Sequence, residues 1–190
     1  MLVDFLVISL LVGLFRGGKL KGLAQIPIKN IEFIFLSFAI RYLPLILKGS
    51  LFDLAVRLNW LVVTISYMLL LYVLTTNMHI KAVGLVALGV FMNYLVIFAN
   101  GWKMPVSIWA LELARLEDLK ELLFDPNYLY HTALDSTTKL RFLADVIPIP
   151  PPYPKPRVFS LGDFTMSLGL FFVIQKYMKP VTTKEIHMTD

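Results

Sequence analysis

The sequence predicts an all-α fold: a polytopic transmembrane helix bundle of about five spans, with an amphipathic helix and a Pro-rich extended segment on its outer face. Three observations predict it. The 190 residues are 57% hydrophobic and only 16% charged, with a mean hydropathy of +0.71, whereas soluble domains hold about 45–50% apolar and about 25% charged residues. Apolar runs close to the roughly 20 residues that cross a hydrocarbon core recur along the chain. Basic residues collect at the ends of these runs. The length fits a single membrane domain over 1–190.

Taken in order, the spans are about 1–15, 31–48, 58–76, 82–99 and 161–178. The first is short and interrupted only by Asp4; its basic residues Arg16, Lys19, Lys21 and Lys29 follow the apolar core rather than precede it. That order favours a retained helix over a cleaved signal peptide. The second carries Arg41 and Pro44. A charge at that depth costs about 2.5–3.5 kcal/mol on insertion scales, so Arg41 is expected to snorkel to the outer interface or to pair with Asp53 or Asp4 on another helix. The third and fourth are apolar throughout, and Gly84, Ala87 and Gly89 give the fourth a thin packing face. Asn93 is expected to bond to a neighbouring helix.

The positive-inside rule sets the orientation. Arg16 to Lys29, Lys81, and Lys176, Lys179 and Lys184 fall on one side if there are five spans. That side is assigned to the cytoplasm of a bacterial plasma membrane, with the N-terminus outside. Residues 100–160 then face outward, with seven bases and seven acids. Within them, Ser107 to Phe124 repeats apolar residues at helical spacing (Trp109, Leu113, Leu116, Leu123), which predicts one amphipathic helix. Six prolines among the nine residues Pro148 to Pro156 predict an extended, polyproline-like spacer. Trp102 and Tyr153 suit an interfacial aromatic belt.

The chemistry open to this chain is narrow. It has no cysteine, and His79, His131 and His187 lie far apart, so no metal site and no cofactor is expected. No phosphate-binding loop, dinucleotide fingerprint, zinc-protease helix or serine elbow is present. Basic residues are spread along membrane ends, which excludes nucleic acid as a partner and leaves membrane lipid and other membrane-protein subunits.

Two carboxylates stand out. Asp163 opens the last span, three residues after Ser160, as in a capping box. Asp145 precedes it by eighteen residues, and the proline segment returns the chain toward the same face. Two carboxylates that share a proton can activate water for peptide hydrolysis. The stretch LADVIP followed by VFSLGDFTMSLGLFFVI resembles the C-terminal part of lipoprotein signal peptidases, with Asp145, Phe159 and Asp163 at the positions of that family's first aspartate, motif phenylalanine and second aspartate. The resemblance implies an aspartic dyad, Asp145 and Asp163, at the outer face. Ser160, Gly162 and Phe164 stand where that motif has asparagine, alanine and serine. Leu161 to Phe164 is more weakly similar to the glycine–aspartate motif of presenilin-like proteases.

Over the whole chain, RGGKLKGLA, the turn Asn100 to Val106, DVIPIP and FSLGD resemble a family of small bacterial integral membrane proteins of unknown function. This implies an accessory or structural subunit that binds a partner or lipid, with an aspartic intramembrane peptidase as the alternative. A small transporter is disfavoured, because no inverted repeat is visible. Candidate binding residues are Asn100, Lys103, Pro105, Ser160 and Arg41 beside the candidate dyad.

Overall fold

The computed structural model describes residues 2–178. Lys179, Lys184 and His187, which entered the orientation argument and the histidine count, lie outside the described residues. The helices are α1 (Leu2–Phe15), α2 (Glu32–Tyr42), α3 (Ser50–Arg57), α4 (Asn59–Thr76), α5 (Val83–Ala99), α6 (Ile108–Leu113), α7 (Lys120–Phe124) and α8 (Leu161–Tyr177). Strands β1 (Met104–Val106) and β2 (His131–Ala133) pair in parallel; β3 (Ile147–Ile149) and β4 (Arg157–Phe159) pair antiparallel.

The five apolar runs do fold as helices, but the five-span all-α bundle is not what forms. Among the described residues one helix, α4, is long and apolar enough to cross a membrane. The physical reason is length. α1 has 14 residues and rises about 21 Å at roughly 1.5 Å per residue, short of a hydrocarbon core about 30 Å thick. α2 stops after 11 residues at Tyr42, where Pro44 turns the chain into a 3₁₀ segment, Leu43–Ile46. α5 is apolar but shorter than α4. The two small sheets are the second departure from an all-α fold.

The segment 100–160 differs in detail as well. The expected amphipathic helix breaks in two after Leu113, because Arg115 takes φ +55° and no α-helix continues through that region. The proline run does not stand alone as a spacer. Its flanks pair as β3 and β4, Ile147 against Phe159 and Ile149 against Arg157, with the prolines in the connecting loop. This hairpin carries the chain from Asp145 back to Ser160.

α5 and α8 form the closest helix pair, and small residues explain why. A Cβ on Gly162 would collide with the Asn93 side chain, and one on Gly89 would collide with the Gly162 carbonyl. A Cβ on Gly169 would sit 2.7 Å from Val86 N. Gly89 and Ala87 of the expected thin face are used in this seam, whereas Gly84 would meet only Met78 Sδ at 3.7 Å. α1 joins α8 by polar bonds: Gln175 donates to the Ser9 carbonyl (2.6 Å), and Arg16 donates to Gln175 Oε1 (2.9 Å). Large apolar side chains remain exposed on α1, α2 and α4, among them Phe15, Phe35 and Trp60.

Candidate active site

Asp163 is fixed from both sides of the α5–α8 seam. Ser160 takes an extended conformation (φ −99°, ψ 166°) and caps α8. Its hydroxyl accepts from Asp163 N (3.0 Å), and Asp163 Oδ2 accepts from Ser160 N (3.3 Å). This is the capping box the sequence spacing predicts. Asn93 of α5 completes a closed circuit: its amide donates to Asp163 Oδ1 (2.8 Å), and its Oδ1 accepts from the Ser160 hydroxyl (2.9 Å). The expected interhelical bond from Asn93 is thus made, to an expected site residue.

Asp145 is placed by backbone alone. Its N–H donates to the Pro105 carbonyl, and its carbonyl accepts from Ser107 N, both at 2.9 Å, in a parallel bridge to Val106. The segment before the hairpin is thereby stitched onto β1. The residue is 7% exposed, and Oδ1 is buried with no hydrogen-bond partner. Burial, reinforced by the charge of Asp163, holds the Asp145 carboxyl protonated well above its usual range. Oδ2 lies 3.9 Å from His131 Nε2. Burial and then the charge of Arg41 push His131 down to about 4. His131 is therefore neutral at pH 7, and the contact is not an ion pair. His131 Nδ1 in turn faces the Tyr128 hydroxyl at 3.0 Å.

Asp145 and Asp163 line one cavity of about 350 Å³. Its walls come from α2 (Ser37, Phe38, Arg41, Tyr42), α4 (Ser66, Tyr67, Leu70), α5 (Val90, Asn93, Ile97), α8 (Met166), β1 (Met104), and Tyr130 and His131 at the start of β2. Of the remaining candidates, Arg41 faces this cavity. It pairs with neither Asp53 nor Asp4 among the described residues; Asp4 instead lies 2.6 Å from Arg157 Nη1. Ser160 is fully buried within the cap. Asn100 closes a turn by bonding Val96 O and the Lys139 backbone, Lys103 donates to Pro126 O, and Pro105 lies in β1. These three do not line the cavity; they hold the loop that presents Asp145.

Sequence reasoning gave no role to Tyr67, Tyr130 or His131. The cluster Tyr128, Tyr130, His131, directly after the amphipathic segment, was the available signal. No group of three or more His, Asp or Glu side chains suited to a metal ion occurs among the described residues.

The fold and site define a helical protein whose cavity is lined by two aspartates from separate segments and by an arginine on an aromatic shelf. The chain belongs to a family of unknown function (DUF5317), whose profile matches residues 25–175, a range that contains every cavity residue named above. It is similar to an uncharacterized protein of Thermotoga maritima, with 27% identity over 180 residues and 92% of each chain covered. No solved structure matches.

Proposed function

We propose that the protein is a membrane-associated aspartic hydrolase that cleaves an amide bond in this cavity. The observation that carries the reading is convergence. Two aspartates eighteen residues apart, one on a hairpin flank and one on a helix N-terminus, face the same cavity, and burial, with the charge of Asp163 added to it, favours the protonated form of Asp145. Pairs of carboxyl groups pushed apart in this way divide acid and base roles. Asp163 accepts the proton of a water molecule whose oxygen attacks the carbonyl carbon. Protonated Asp145 donates a hydrogen bond to the oxygen that becomes negative. When the carbon–nitrogen bond breaks, the proton held by Asp163 passes to the leaving amine. Membrane association rests on α4, of which only 28% is buried, and on the exposed apolar side chains of α1 and α2.

The test is cleavage of a fluorogenic peptide library by the purified full chain in detergent. The wild type should cleave, and Asp145→Asn and Asp163→Asn should each lose about 10²-fold or more, the usual range for an acid–base group. A wild type that cleaves nothing, or variants as active as the wild type, would contradict the reading.

A second reading has its own observation: both oxygens of Asp163 are already engaged in the cap circuit. An accessory subunit that binds lipid or a partner helix would use Asp163 for that alone, and Asp163→Asn would then change stability without changing any turnover.

A further inference from the structure

The cavity has a positive end that the hydrolytic step does not use. Arg41 sits in the last turn of α2 and lines the cavity. Nη1 is buried with no hydrogen-bond partner, and among the described residues no ion pair includes Arg41. The group is nevertheless held in place. Its Cζ lies 4.5 Å from the centroid of the Tyr130 ring, and Tyr42 stacks on that ring at 5.9 Å. The Tyr130 hydroxyl donates to the Arg41 carbonyl (3.4 Å), which ties shelf and helix together. A guanidinium laid on an aromatic face keeps its edge free for a planar or tetrahedral anion.

A partly buried cation with an unmatched N–H is costly, and beyond the Tyr130 ring no paired anion among the described residues compensates this one. A ligand that brings its own negative charge would. The surroundings indicate which kind. Immediately after Arg41 the chain presents Leu43, Leu45 and Ile46, which are 49%, 66% and 76% exposed. Leu45 also lines a neighbouring cavity that shares Tyr42, Tyr130 and His131 with the first. An anion at Arg41 thus has an apolar edge directly beside it, where hydrocarbon chains can lie against α2.

We propose that Arg41, held on Tyr130, binds the phosphate of a phospholipid headgroup, with the acyl chains along the Leu43–Ile46 edge. The inference depends on the hydrolase reading only for the cavity being a ligand site. A binding measurement in the Asp145→Asn background therefore separates the two, since loss of hydrolysis there leaves the phosphate contact in place.

The experiment is calorimetric titration of the full chain, in an uncharged detergent, with dioctanoyl phosphatidylglycerol, dioctanoylglycerol and inorganic phosphate. Phosphatidylglycerol should bind, in the wild type and in Asp145→Asn alike. Arg41→Gln should weaken it tenfold or more, and Arg41→Lys should weaken it less. Tyr130→Leu keeps the charge but removes the shelf, and should also weaken binding, which guards against an Arg41 variant that fails to fold. Equal binding of dioctanoylglycerol, or unchanged affinity in a folded Arg41→Gln, would overturn the proposal. Inorganic phosphate that displaces phosphatidylglycerol at equal concentration would overturn the lipid assignment in favour of the free anion.

Discussion

The two walls of the cavity are built on opposite rules. On the α5–α8 seam every polar atom of the Asn93, Ser160 and Asp163 circuit that the cap requires has a partner, and glycines let the backbones close around it. On the wall made by α2 and the β-strand segments, Arg41 Nη1 and Asp145 Oδ1 are buried without partners. A satisfied buried network specifies structure. A buried polar atom left unmatched costs about 1–3 kcal/mol. The comparison assigns the seam to stability and to holding Asp163 in position, and the other wall to binding.

The largest expected effect breaks the seam. Gly162→Val drives two methyl groups and a Cβ into Asn93 and the Gly89 backbone, and should cost about 3 kcal/mol or more in thermal or denaturant unfolding, the upper part of the overpacking range. Gly84→Ala on the same helix as Gly89 meets only ordinary van der Waals contact with Met78 Sδ and should be neutral or stabilising by up to about 1 kcal/mol. Equal effects of the two would remove the distinction between tight seam and open face.

Next comes Asn93→Ala. It strips Asp163 Oδ1 and the Ser160 hydroxyl of a partner, and should destabilise by about 1–3 kcal/mol, read by chemical denaturation. It should also lower any hydrolytic rate, because Asp163 is no longer held. A stability loss with full activity would confine Asp163 to capping.

The last effect has the opposite sign. The folded protein keeps a proton on Asp145 that the unfolded chain releases above about 3.8, so folded stability falls as pH rises beyond that value, until Asp145 ionises in the folded state as well. Asp145→Asn lacks this penalty. Its stability relative to wild type should therefore grow as pH rises above about 4 and then level off, as measured by unfolding at several pH values. A pH-independent difference would show that Asp145 ionises freely in the folded state.

Much of this was legible in the sequence, and the losses have physical causes. The helix positions followed from apolar runs, and the α8 cap from Ser160 and Asp163 at the required spacing. Span number did not follow, because hydropathy marks where a helix forms but not that α2 ends early at Tyr42 or that a run as short as α1 falls below the length of a span. The single amphipathic helix failed at Arg115, whose positive φ has no composition signal. The proline spacer failed because strand pairing of its flanks, Ile147 with Phe159, is non-local. Asp145 and Asp163 were singled out by their spacing and the motif resemblance, and both line one cavity. His131 and Tyr130 reach the cavity only through the parallel β1–β2 pairing, Met104 opposite His131, which no local pattern encodes.

The most direct test of the account is the infrared difference spectrum of wild type minus Asp145→Asn at pH 7, in the carboxylic C=O stretching region. The account expects a protonated-carboxyl band that is present in the wild type, absent in the variant, and shifted in the wild type when Asp163 is changed to Asn. A spectrum without such a band at pH 7 would mean that Asp145 is ionised, and would contradict both the divided acid–base roles and the functional reading of that wall.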